Sequence, residues 1–367
     1  MKRWILRLAV AGALLAFGAF IVAASGLIPI RASAGHWGIT EWFLRFSLRR
    51  ALATQSVGTT VPPDLNDPDL IQRGAAHYEL ACRACHGAPG EPPPRLAAHM
   101  LPTPPDLAPR VRTSTPARLF QAVKHGIKFT GMPAWPAPRR DDEVWAMVAF
   151  LGAYPDLAAA DYRRLAGREP EPPAPGRAVF SPLDAPATAQ SCARCHGSDG
   201  LGRGNAGMPH LAGQRADYVR EALQAYAAGR RHSGTMEIVV AELSAAAIDE
   251  LARHFAALPP APARGRPDGS PAAIARGEII ARNGIPADRV PACLECHAPG
   301  GRRGKPEFPL LAGQPAGYLE LQLALFRENR RGGSDHEHLM RTIAGRLTPE
   351  QARDLAHYFA SQRPAGQ

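Results

Sequence analysis

The chain has 367 residues, with 43 Lys and Arg against 33 Asp and Glu, a formal net charge of +10 and a pI near 9.7. That length sets a soft expectation of two to four domains. The 37 prolines and 35 glycines suit small domains joined by loops, and the basic residues form no stripe with interleaved aromatics, which argues against a nucleic-acid partner.

Met1-Lys2-Arg3 is a short basic start, and Leu8 to Ile30 holds no charged residue. That run is long enough to span a bilayer and longer than the apolar region of a cleaved signal. The basic residues before it place the N-terminus in the cytoplasm and the remainder outside. Ala32-Ser33-Ala34 is an A-x-A word that a signal peptidase can use, so a retained anchor and a cleaved signal both stay open; either way the chain is exported. Residues 1–34 are expected as this anchor and 35–66 as an interfacial helix and linker. From His36 to Leu52, Trp37, Ile39, Trp42, Phe43, Phe46 and Leu48 lie among Arg45, Arg49 and Arg50. This composition suits a helix in the membrane interface or one packed on the first folded domain.

A first domain is expected over 67–160. Asp69–Leu80 patterns as a helix leading into Cys82-Arg83-Ala84-Cys85-His86, Arg110–Lys128 carries further helical pattern with Thr115-Pro116 as cap and first turn, and Asp141–Tyr154 closes the domain. A Pro-rich linker follows at 161–178. A second domain is expected over 179–260 around Cys192-Ala193-Arg194-Cys195-His196, then a linker at 261–270 and a third domain at 271–363 around Cys293-Leu294-Glu295-Cys296-His297. The last two domains share a repeat: Leu211-Ala212-Gly213-Gln214 with Tyr218, and Leu311-Ala312-Gly313-Gln314 with Tyr318. Their closing helices pattern as Ala245–Ala257 and Pro349–Ser361, the latter opened by a capping box at Thr348.

C-x-x-C-H is the attachment word of c-type haem. Its three copies use all six cysteines, so no thiol is left for a disulfide, a zinc cage or a nucleophile. Zinc would want two such pairs converging on one ion. The composition therefore implies three covalently bound haem c groups, on Cys82 and Cys85, Cys192 and Cys195, and Cys293 and Cys296. Their propionates offset up to about six positive charges, which leaves a mildly basic protein suited to an acidic partner or an anionic membrane surface. His86, His196 and His297 are the expected proximal iron ligands. Met132, Met236 and Met340 follow them by 46, 40 and 43 residues, each shortly before a closing helix. A thioether favours ferrous iron and raises the potential, so these three are the expected sixth ligands. Met100 and Met208 compete, as do His336 and His338 beside Met340. Each word is also followed by a P-x-L, at Pro105, Pro209 and Pro309. A fixed carbonyl there would orient the proximal imidazole.

With these residues the chain resembles class I cytochromes c in three tandem domains. The L-A-G-Q-x-x-x-Y words, the Met before L-S or L-T, and Asn283-Gly284-Ile285-Pro286 through Pro291-Ala292-Cys293 resemble tandem diheme cytochromes of the c-four type. Gly131-Met132-Pro133-Ala134-Trp135 is similar to the cytochrome c domains of terminal oxidases and membrane dehydrogenases. The resemblance implies an all-α fold, helices crossing at Gly74 and Gly277, single-electron transfer, no catalytic residue and no small-molecule substrate. The second domain departs from it, since its Pro-rich approach to Cys192 shows no first helix. The expected protein is a triheme carrier at the bacterial inner membrane, its haem domains facing the periplasm, or soluble there after signal cleavage. Its expected partners are redox proteins, an oxidase or a dehydrogenase complex. A cytochrome subunit of a membrane dehydrogenase, and a haem peroxidase or reductase with one open iron, are the alternatives.

Overall fold

The computed structural model describes residues 2–28, 31–168, 187–261, 269–333 and 335–364. These form helices and loops with three isolated β-bridges and, among the described residues, no strand. Local chemistry sets the helix starts. Asp67 accepts from the Asp69 amide ahead of Pro68, Ser270 accepts from Ala273 ahead of Pro271, and Thr348 and Gln351 form the capping box. The expected helical stretch Arg110–Lys128 is broken into Leu107–Arg112 and Pro116–His125. Pro116 cannot sit inside a helix and instead begins one, with Thr115 as its cap.

Three hydrophobic clusters organise the molecule. In the first, the opening helix Pro68–Ala81 crosses the closing helix Asp141–Ala153 at Gly74. A Cβ at Gly74 would run into the Ala146 carbonyl and the Phe150 side chain. Around the crossing, Tyr78 packs its ring against Phe150 at 5.1 Å, Tyr154 at 5.5 Å and Tyr162 at 6.1 Å. Tyr162 lies on the helix Ala159–Leu165, whose last residues fall in the expected linker, yet it is fully buried and donates to Glu79 Oε2 at 2.6 Å. The third cluster repeats the crossing: Pro271–Asn283 meets Pro349–Ser361 at Gly277, where a Cβ would collide with the Asp354 carbonyl and Tyr358 Cβ.

The second cluster is thinner, built on Ala189, Leu201, Ala212, Leu251, Phe255 and Leu258. Its closing helix Ala245–Ala257 packs on Ala216–Ala227 and on Ala187–His196, the helix that runs into the second haem word. The expected approach to that word falls at 169–186, outside the described residues, as does most of the linker at 261–270. The second domain leans on the first one's opening helix instead. Asn205 Nδ2 donates to the Asp69 carbonyl at 3.1 Å and to Gln72 Oε1 at 2.8 Å, and the Ala206 amide donates to Asp69 Oδ2 at 2.9 Å.

Ahead of the clusters, Arg3–Ala24 is one apolar helix of mean hydropathy 2.3 with none of it buried. The helix Gly38–Gln55 then leans on Pro116–His125 with Leu48, Leu52 and Ala53 half-buried, while Trp37, Ile39, Trp42 and Phe43 stay exposed.

Candidate functional site

Each haem word sits on a helical turn, which puts its two sulfurs on one face and its histidine just beyond them. The six cysteines form no disulfide among the described residues and are partly covered. Burial pushes the Cys82 thiol up to about 12 and those of Cys195 and Cys293 to about 11, so none of these three is a reactive thiolate at neutral pH.

The three imidazoles share one geometry. His86 Nδ1 lies 3.2 Å from the Pro105 carbonyl, His196 Nδ1 3.4 Å from Pro209, and His297 Nδ1 2.9 Å from Pro309. A carbonyl only accepts, so the proton belongs on Nδ1 and Nε2 is left with its lone pair for a metal. Burial lowers the proton affinity of all three rings, which favours that neutral tautomer. Two thiols one turn apart beside an imidazole with a fixed Nε2 form a donor set that fits haem c.

Met132 is half-buried in the loop after Pro116–His125, its N–H donated to Thr130 Oγ1 at 3.0 Å and its carbonyl accepting from Ile127 at 3.1 Å. The Met100 methyl packs on neighbouring Gly131, so both methionines of the first domain share one locale. Met236 opens the short helix Met236–Val240, and Met340 lies in Glu337–Arg346. Its rivals are engaged elsewhere: His336 Nε2 lies 3.3 Å from Lys305 Nζ with its ring edge-on to Phe308, and His338 Nδ1 lies 3.1 Å from the Asp335 carbonyl. Met208 packs on Gly202 and Met147 is buried in the first core.

The repeated L-A-G-Q-x-x-x-Y words have a role that their periodicity did not disclose. They form the contact between the second and third clusters. Gln314 Oε1 accepts from the His210 amide at 3.0 Å and its Nε2 donates to the His210 carbonyl at 2.7 Å. Reciprocally, Gln214 Oε1 accepts from the Leu310 amide at 2.8 Å and Nε2 donates to the Leu310 carbonyl at 3.0 Å. The Pro209–His210 and Pro309–Leu310 peptides therefore each accept from a haem-word histidine on one side and donate to the other domain's glutamine on the other. A cavity of about 230 Å³ lies at this contact, lined in part by Gln214, Gln314, His297 and Phe359.

At the centre of the same contact, Arg231 donates to both tyrosine hydroxyls, Tyr218 at 3.5 Å and Tyr318 at 3.3 Å. Arg231 stacks on Tyr226 and Arg331 on Phe326, with centroid distances of 4.6 and 4.3 Å. Burial pushes the Tyr318 hydroxyl up to about 12; at Tyr218 the same burial is overridden by Arg231 and Arg331, which draw it down. The Arg230-Arg231 and Arg330-Arg331 pairs recur at the period of the L-A-G-Q words, which is the signal that could have found them.

Comparison with known proteins agrees with this arrangement. The family profile described as "Cytochrome C oxidase, cbb3-type, subunit III" matches residues 69–151, and that described as "Cytochrome c" matches 175–247 and 284–363. The chain is 38% identical to the thiosulfate dehydrogenase electron acceptor of Thiomonas intermedia, over 48% of this chain and 81% of that protein. It is 36% identical to the protein of the same name from Stutzerimonas stutzeri, over 53% of this chain and 90% of that one. With cytochrome c4 of Pseudomonas aeruginosa it shares 31% identity over 47% of this chain and 84% of that one. The three Cys-x-x-Cys-His words are sites of covalently bound haem c. The chain belongs to the cytochrome c family and is a multihaem electron carrier.

Proposed function

We propose that the protein is a membrane-anchored triheme carrier in the periplasm, passing single electrons from a dehydrogenase towards a terminal oxidase. The observation that carries this is the threefold recurrence of one unit: a thiol pair, an imidazole and a proline carbonyl on its Nδ1. When bound, each haem supplies a one-electron ferric/ferrous couple. The chain's own residues set that couple. His86, His196 and His297 would hold the iron through Nε2, and Met132, Met236 and Met340 would hold it through sulfur. Pro105, Pro209 and Pro309 hold the rings in orientation and raise their basicity. With an imidazole and a thioether both supplied by the chain, each haem would exchange electrons and bind no substrate.

The donor is inferred from the relatives. Thiosulfate dehydrogenase electron acceptors align over about half of this chain, so a dehydrogenase that oxidises a reduced sulfur anion is the donor of choice, and the mildly basic surface suits an acidic partner. Anchoring is supported by the apolar helix Arg3–Ala24 and by the exposed Trp37, Ile39, Trp42 and Phe43 that follow it. Domain limits near 67–160, 179–260 and 271–363 belong to the same proposal, and the packing of Tyr162 and Ala166 in the first cluster supports carrying the first limit a few residues further.

Purification from washed membranes, followed by mass measurement and a redox titration, tests the reading. The expected result is three haems per chain, retention in the membrane fraction and a reduced spectrum unchanged by carbon monoxide. A carbon monoxide adduct on any haem would overturn full coordination. Met132→Ala should lower the potential of one haem with all three still attached; an unchanged titration would place that ligand elsewhere. Cys293→Ala with Cys296→Ala should remove one haem of three.

A further inference from the structure

The loops that bear Met132 and Met236 belong to different domains, yet both end on one carboxylate. Glu143, in the first turn of the first domain's closing helix, is 5% exposed. Its Oε2 accepts from Trp135 Nε1 at 3.1 Å and from the Gly234 amide at 2.7 Å. Its Oε1 accepts from Ser233 Oγ at 2.7 Å and stands 3.1 Å from Arg140 Nη2. Ser233 Oγ in turn accepts the N–H of Met236 at 3.2 Å. On the other side, Trp135 lies three residues beyond Met132, and its own amide is tied to the Lys124 carbonyl at 3.0 Å.

The surroundings close the arrangement. Arg140 Nη1 donates to the His232 carbonyl at 2.5 Å, so the turn that leads into Met236 is held at both ends from the first domain. A Cβ at Gly234 would collide with the Trp135 indole, so the two loops touch directly. The His77 ring, 5.4 Å from Trp135, also bonds the Thr235 hydroxyl. A carboxylate is an acceptor at both oxygens with about four lone-pair sites, which is what three donors and a guanidinium require. A glutamine there has one acceptor oxygen and turns an NH2 towards a donor.

We propose that Glu143 is a positioning residue shared by two haem centres, fixing the sulfur-bearing loops of the first and second domains together so that their potentials move as a pair. This rests on Met132 and Met236 being the sixth ligands.

The test is a haem-resolved redox titration of the full-length holoprotein and its Glu143→Gln variant. The expected result is a change of about tenfold in the one-electron equilibrium constant, 59 mV, for two of the three haems, the third unmoved. Ser233→Ala should move one of those two and Trp135→Phe the other. A role confined to packing would lower stability and leave the couples where they were. Movement of one couple or none in Glu143→Gln, with three haems bound, would overturn the proposal. If that variant does not fold, the Ser233→Ala, Trp135→Phe double variant takes its place and must move the same two couples. Met236→Ala keeps the underlying assignment separate. Loss of one sulfur-to-ferric charge-transfer band upholds the ligand whatever Glu143→Gln does, and its retention refutes the ligand and, with it, the proposal.

Discussion

The second domain has two neighbours and meets them in opposite ways. Towards the third domain the contact is reciprocal: Gln214 and Gln314 each hold a backbone unit of the other half, and Arg231 sits between Tyr218 and Tyr318. Towards the first domain no such exchange is found among the described residues: Asp69 and Gln72 receive Asn205 and Ala206, while Glu143 and Arg140 grip residues 232–234. The first kind of contact is two copies of one surface, as in an isologous pair. The second is a fitted joint between unlike modules. A domain with a thin core of its own thus borrows order from both sides, by repetition on one and by buried charge on the other.

The largest effect should come from erasing the reciprocal contact. Gln214→Leu with Gln314→Leu strips partners from four backbone groups at His210 and Leu310, at about 1–3 kcal/mol for each group that stays buried. Denaturant unfolding of the holoprotein should then split into two transitions, and a single unchanged transition would show that the glutamines are incidental. The fitted joint should instead be sensitive to acid. Burial, with Arg73 and Arg140 nearby, lowers the His77 pKa from 6.5 to about 3. The unfolded chain binds a proton that the fold refuses, so stability is complete above pH 6.5 and is lost as pH falls towards 3. That amounts to about 2 kcal/mol by pH 5. His77→Phe should flatten the slope between pH 6.5 and 5; an unaltered slope would exclude this ring as its source.

Smaller effects sharpen the contrast. Asn205→Ala removes a side chain that is 2% exposed and bonded to two groups of the opening helix, and should cost about 1–2 kcal/mol in thermal unfolding. Arg139→Ala, whose exposed guanidinium reaches the Glu328 carbonyl at 3.4 Å, should stay within about 0.5 kcal/mol. Glu328 belongs to the third domain, so a comparable loss at both positions would mean that the direct contact of the first domain with the third matters as much as the fitted joint.

What could be read in advance follows the same division. The haem words and the caps at Thr115 and Thr348 are local signals, whereas the crossings at Gly74 and Gly277 are expected only through the family resemblance, and the structure has both caps and crossings at those residues. The reciprocal contact left a trace as a repeat, although its meaning lay in pairing across domains. Glu143 left none. After Asp141 and Asp142 it reads as one more acid complementing a helix N-terminus, because its partners Ser233 and Gly234 are some 90 residues away. Tyr162 was missed for a similar reason: the short helix Ala159–Leu165 gains its place only from the aromatic pocket around Tyr78.

The peptide units after Pro209 and Pro309 carry one more consequence. Each is polarised from both ends, by an imidazole of its own domain and by a carboxamide from across the boundary. A substitution confined to one half therefore reaches the ring chemistry of the other through a single amide plane. Two centres joined in this way can be retuned remotely, with every atom that touches the prosthetic group left as it was.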